Sequence, residues 1–199
     1  MDDIVKAAIL KWPNVPHCYG WLALDARGDW YLRDGPTQAA GPFPQLKGSL
    51  IEHSKLKDFI QRNYASDERG AWFFQNGPQR VYLQLELTPW VLGVRRRNAE
   101  ELAGEDAGTG AGSGAAEVCD FEVRTHTGQD VLAVRSCWLD EHGRLYLLTD
   151  MGLGVVRSMD MDAAADAVSA GVWGEPQDML WADMPARFGF VREPVPAPV

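Results

Sequence analysis

The sequence has no closely spaced cysteine pair, no apolar run near the ~20 residues that cross a bilayer, and no surplus of positive charge. Each absence removes a class of protein. Cys18, Cys119 and Cys137 are odd in number and far apart, which argues against a disulfide frame or zinc knuckle and fits reduced thiols used as small apolar fillers. With 28 acidic residues against 19 basic ones and a formal charge of −9, the chain lacks the cations that displace counterions from a phosphate backbone. Nucleic acid is therefore not expected as a partner. The opening Met1-Asp-Asp-Ile has neither the basic region nor the apolar stretch of a secretory leader, so a cytoplasmic protein with no membrane partner is expected. Metal-binding helix spacings such as His-x-x-x-His are also missing. Met159-Asp-Met-Asp162 runs into three alanines without the alternating oxygen ligands of a calcium loop, so Asp160 is read as a helix cap and no metal or cofactor is expected.

What is present is a globular composition, 46% hydrophobic with eight tryptophans, most of them expected in the core. One phrase occurs twice. Leu22-Ala-Leu-Asp-Ala-Arg-Gly-Asp-Trp-Tyr-Leu32 and Cys137-Trp-Leu-Asp-Glu-His-Gly-Arg-Leu-Tyr-Leu147 each place Asp and Gly three residues apart between apolar runs. That spacing predicts a hairpin, because Asp can accept from the turn backbone while Gly takes the positive φ at its exit.

Around these hairpins the pattern predicts a helix over Asp2–Lys11 with Ile4, Ala7 and Ala8 on one face, and a loop over 35–48 pinned by Phe43 and Leu46. A helix capped by Ser54 follows, with Leu56, Phe59, Ile60 and Tyr64 on its apolar side, or with Ser49 as the cap if it starts earlier. Strands over 71–75, 80–87 and 90–96 read as one three-stranded meander, with Val81, Leu83, Leu85 and Leu87 inward and Tyr82, Gln84 and Glu86 wet. Further strands are expected over 119–124, 130–139, 144–149 and 187–192, with a helix over 161–170. The fold class is thus α+β: two similar halves, 1–102 and 118–192, each an antiparallel meander with one main helix. A flexible Gly-rich insertion (103–117) joins them, and a Pro-rich disordered tail (193–199) ends the chain. The shared order suggests internal duplication, with chance convergence of a common turn phrase as the alternative.

The block Lys11-Trp-Pro-Asn-Val-Pro-His-Cys-Tyr-Gly-Trp-Leu-Ala-Leu-Asp-Ala-Arg-Gly-Asp-Trp-Tyr-Leu-Arg-Asp34 resembles the opening of an uncharacterised proteobacterial family described only as a domain of unknown function. The resemblance implies a bacterial, soluble protein. It carries no catalytic residue with it.

Candidate sites stand beside plainer readings. His17-Cys18 is the one adjacent imidazole and thiol, but neighbours on an extended segment point apart, so catalysis there needs a second base from His53, His126 or His142. Asp25 and Asp140 could pair as acid and base, although their turn role explains both. Arg95 and Arg97 share a strand face and could hold an anion, with Arg80 as a helper, or simply end a solvated strand. Trp12, Tyr19, Trp21, Trp30 and Tyr31 crowd aromatic surface beside prolines, which suits a partner groove as well as a structural cluster. The preferred reading is a non-catalytic binding or regulatory module for a partner protein or small ligand, with self-association through strand edges. The competing readings are a small enzyme with a pocket between the halves, using His17, Cys18, Asp25 and the Arg95–Arg97 cluster, and an anion sensor at Arg95–Arg97.

Overall fold

The computed structural model describes residues 1–98 and 120–196. The stretch expected to be a linker (103–117), Cys119 and the last three residues of the tail lie outside them. The chain divides into two compact units, Met1–Val91 with Leu180–Val199, and Leu92–Met179.

The first unit runs α1 (Asp3–Lys11), β1 (Cys18–Leu24), β2 (Trp30–Leu32), α2 (Gly35–Ala40), β3 (Ser49–Leu50), α3 (Ser54–Arg62), β4 (Tyr64–Ser66), β5 (Trp72–Asn76) and β6 (Gln79–Leu85). Its sheet has the order β3-β2-β1-β6-β5-β4, antiparallel except where β6 lies parallel to β1. Aromatic rings fill one face: Trp30 and Trp72 meet Tyr64 at 5.4 and 4.6 Å, and Trp90 meets Trp72 at 5.1 Å. α3 lays Phe59 against Phe74 at 5.4 Å and buries Ile60, while the buried Tyr64 hydroxyl donates to the Pro89 carbonyl.

The second unit takes β7 (Trp90–Arg96) from Leu92 onward, then β8 (Phe121–Thr125), β9 (Val134–Leu139), β10 (Leu145–Thr149), β11 (Gly152–Val156), α4 (Met161–Ser169) and β12 (Gln177–Asp178). Its order is β12-β9-β10-β11-β7-β8, with β12 parallel to β9. The chain ends with α5 (Met184–Phe188) and a bridge from Val191 to Ala71 in the first unit.

The molecule is therefore α+β, with two six-stranded mixed sheets formed one after the other. Both hairpins form as expected, and the likeness of the two units extends beyond them. In the first unit Leu24 pairs with Trp30, Tyr31 with Leu50, and Leu24 in parallel with Leu85. In the second, Leu139 pairs with Leu145, Tyr146 with Val155, and Leu139 in parallel with Asp178. A nine-residue helix follows the third strand in each. The parallel strand is tied identically: Glu86 N–H donates to the Leu24 carbonyl at 2.9 Å, and Met179 N–H to the Leu139 carbonyl at 3.0 Å. Hairpin, third strand, helix and returning parallel strand thus recur in matching register, which favours duplication over chance.

Several local expectations change. Trp90–Arg96 joins the second sheet rather than closing a meander on β6, since the Thr88-Pro89 turn fixes a change of direction but not a sheet partner. Residues 187–192 are not a strand: Pro185 suits the first turn of α5, and Gly189 at φ 68° ends it. Residues 35–40 are helical, capped by Asp34 accepting from Thr37 N–H. His53, not Ser54 or Ser49, caps α3, with Nδ1 accepting from Leu56 N–H. Asp160 precedes α4 but accepts from Arg157 and Val94 instead of capping it. α1 buries Val5 and leaves Ile4 exposed. Four of the eight tryptophans, at 30, 90, 138 and 173, are buried.

Candidate functional site

Alternation along β6 sends Leu83 and Leu85 to the helix-covered face and Arg80, Tyr82 and Gln84 to the other. That second face was expected to be wet, yet Tyr82 is buried. Register explains why: Tyr19 on β1 and Phe73 on β5 flank Tyr82, Tyr19 stacking at 4.7 Å with planes 6° apart and Phe73 meeting it edge-on at 5.6 Å. His17 adds a second ring edge at 5.8 Å, and Gln79 Nε2 fixes the segment before it by donating to the Pro16 carbonyl at 2.8 Å.

Polar groups close around this stack. Tyr82 Oη donates to Asp67 Oδ2 at 3.1 Å, and Arg69 pairs with the same carboxylate at 3.3 Å. Burial pushes the Asp67 carboxyl up, but the Ala71 and Arg69 amides, the Tyr82 hydroxyl and the Arg69 guanidinium outweigh it and hold it below its ordinary value. Arg80 lies 4.5 Å over the Phe73 ring with Nη1 3.5 Å from Tyr82 Oη. Among the described residues it meets no carboxylate. Partial burial, then the nearby Arg80 charge, lowers the His17 pKa, so its imidazole is neutral at pH 7.

A second cluster surrounds Asp25. Its Oδ1 accepts from the Arg27 and Asp29 amides, both at 2.9 Å, and its Oδ2 meets Lys47 Nζ at 2.7 Å. Lys47 also reaches Glu86 at 3.4 Å and lies over the Tyr31 ring. Burial opposes the Asp25 charge, yet Lys47 and the two amides more than compensate and depress its pKa. Both oxygens are occupied, so Asp25 is committed to its turn and to the loop that carries Lys47. The fully buried Arg33 holds the same loop through the carbonyls of Gly41 and Leu46, while Leu46 itself is exposed rather than acting as a pin.

The remaining expected site residues are scattered. Cys18 pairs in register with Val81, on the face away from Tyr19, so its thiol and the His17 ring diverge. Trp12 is exposed beneath Lys11 at 4.5 Å, Trp21 is exposed on β1, and Trp30 is core. Arg95 pairs with Glu122, which also holds Arg124, and Arg124 reaches Asp130 at 2.7 Å. Arg97 N–H donates to the Asp120 carbonyl at 2.7 Å. In the second unit Asp140 accepts from the His142 and Arg144 amides and from Tyr146 Oη at 2.8 Å, repeating the commitment of Asp25. The Cys137 thiol is buried against the Trp173 and Gly174 carbonyls, and burial raises its pKa. No group of three His, Cys, Asp or Glu side chains among the described residues is placed to hold a metal ion. No helix among them is long and apolar enough to cross a membrane.

Lys47 and Tyr82 were missed from sequence because their partners lie far along the chain. Asp67 was legible, since Asp67-Glu-Arg-Gly70 repeats the hairpin spacing.

A family model described as protein of unknown function (DUF2946) matches residues 1–195. No curated relative matches the chain. Among solved structures, a DUF1285 family protein from Shewanella baltica OS155 is 14% identical, with 73% of this chain and 91% of that one covered and a TM-score of 0.44. Another from Silicibacter pomeroyi DSS-3 is also 14% identical, with coverage of 77% and 72% and a TM-score of 0.46.

Proposed function

The chain belongs to the DUF2946 family, and on that premise we propose that it is a non-catalytic binding module whose small-molecule site is the His17–Tyr19–Arg80 face of the first unit. One observation carries the reading: Arg80 is held in place by Phe73 and Tyr82 yet has no carboxylate partner among the described residues. An ordered cation over a ring face is preorganised for a ligand, because the entropy of fixing its long side chain is already spent. The groups that would serve catalysis support the same conclusion. Asp25 is saturated by its turn and Lys47, and Cys18 lies on the opposite strand face from the ring of its neighbouring histidine.

A thermal shift screen of small metabolites on the full chain tests this. A stabilising ligand is expected, with its effect lost in His17→Ala, an exposed position whose truncation leaves the core intact. A ligand response that survives His17→Ala and disappears in Arg95→Ala would contradict it.

A further inference from the structure

We propose that the first unit binds a phosphate monoester, with the Arg80 guanidinium gripping two phosphate oxygens and the His17 imidazole donating to a third. This rests on the binding-module reading and adds the ligand's chemical class. Several basic side chains around the first sheet are committed to other groups. Arg33 is used on two loop carbonyls, Lys47 on Asp25 and Glu86, Arg62 on Asp2, and Arg69 on Asp67. Arg80, half-buried and held over the Phe73 ring beside Tyr82, meets no carboxylate among the described residues, in a chain whose acidic residues outnumber its basic ones.

The fold does not demand an arginine there. Leu85 and Asp178 hold equivalent parallel registers, but the returning strand of the second unit is only Gln177–Asp178, so it has no counterpart of the strand positions that carry Arg80 and Tyr82. The cluster is thus specific to one copy of a shared frame. A guanidinium fork fits any oxyanion bidentately, but a carboxylate then offers the imidazole only a second lone pair on an oxygen already bonded. A phosphate monoester has a third oxygen. Its dianionic charge would also reverse the field at His17, where the nearby charge is that of Arg80.

The test measures melting temperature and the His17 imidazole titration by NMR with inorganic phosphate, phenyl phosphate and benzoate, at ionic strength held constant with sodium chloride. Phenyl phosphate at a hundredfold excess over its Kd is expected to raise Tm by roughly 5 °C and to move the His17 pKa upward. Benzoate, with one charge and no third oxygen, should do both more weakly. Both effects should vanish in Arg80→Gln, and Arg80→Lys, which keeps the charge without the fork, should weaken binding at least tenfold. An inorganic phosphate response equal to that of the ester supports the same site with free phosphate as its ligand. Phosphate responses that persist in Arg80→Gln, or that are absent from the wild type, overturn the anion site. If a neutral ligand still stabilises the protein through His17 in that case, the binding module survives and only its ligand class falls.

Discussion

Asp25, Asp67 and Asp140 do one job in three places, and Thr125 does it in a fourth. In each, the residue's N–H donates to the carbonyl four residues on, its own carbonyl accepts from the glycine three residues on, and its side chain accepts from a turn amide. The glycines have φ of 89°, 77°, 72° and 80° at positions 28, 70, 143 and 128, the left-handed step that closes a type I turn with a bulge. This is why the hairpins were legible from sequence: all the information lies within five residues. Gly143→Ala should cost about 1–2 kcal/mol from backbone strain alone, since nothing crowds its Cβ. Gly70→Ala should cost more, because its Cβ would fall 2.1 Å from the Gly189 carbonyl oxygen. Urea denaturation of both variants checks the order. The depressed Asp25 pKa gives a second expectation. Its stabilisation is full above the unfolded value of about 3.9 and is lost as pH falls through the lower folded value. The gap in unfolding free energy between wild type and Asp25→Asn should hold at neutral pH and narrow below about pH 4, and a gap that widens in acid would refute the assignment.

Elements were less legible than turns, for a reason visible in β7. Its alternation marks a strand, but nothing within Trp90–Arg96 says whether its partner is β6 next door or β11 sixty residues later. Glycine settles part of it. A Cβ on Gly154 in β11 would lie 2.6 Å from Leu92 of β7, a residue fully buried and unable to yield, so these strands pack only with glycine there. Gly154→Ala should destabilise by about 1–3 kcal/mol. Gly93→Ala on β7 should be far milder, because the atom it meets at 2.5 Å is the tip of the flexible Arg157 side chain. Equal losses in the two variants, read from denaturant midpoints, would contradict this packing. The strands β11 and β12 and the helix α5 escaped sequence reading because they are short and have no alternation of their own.

For the whole molecule, the repeated frame acts as an internal control. What both units share, the Asp turn, the tyrosine six residues later and the returning parallel strand, is what the fold requires. What only one unit has is available for function. From sequence Tyr19 stands out as part of an aromatic block and His17 as the imidazole beside Cys18. Arg80 was noticed only as a helper to Arg95, since its uncommitted charge shows only once every neighbouring carboxylate has been placed. The return of residues 180–196 to the first unit left no mark in the sequence, because it depends on contacts such as Val191 with Gly70 and Gln84 with Glu193 across more than a hundred positions. The most direct test of this division between shared frame and unshared site is a map of backbone amide shifts in the full-length protein titrated with phenyl phosphate. The largest changes should fall at His17–Tyr19 and Arg80–Tyr82, with the second unit unmoved. Changes centred on Arg95–Arg97, or none at all, would contradict it.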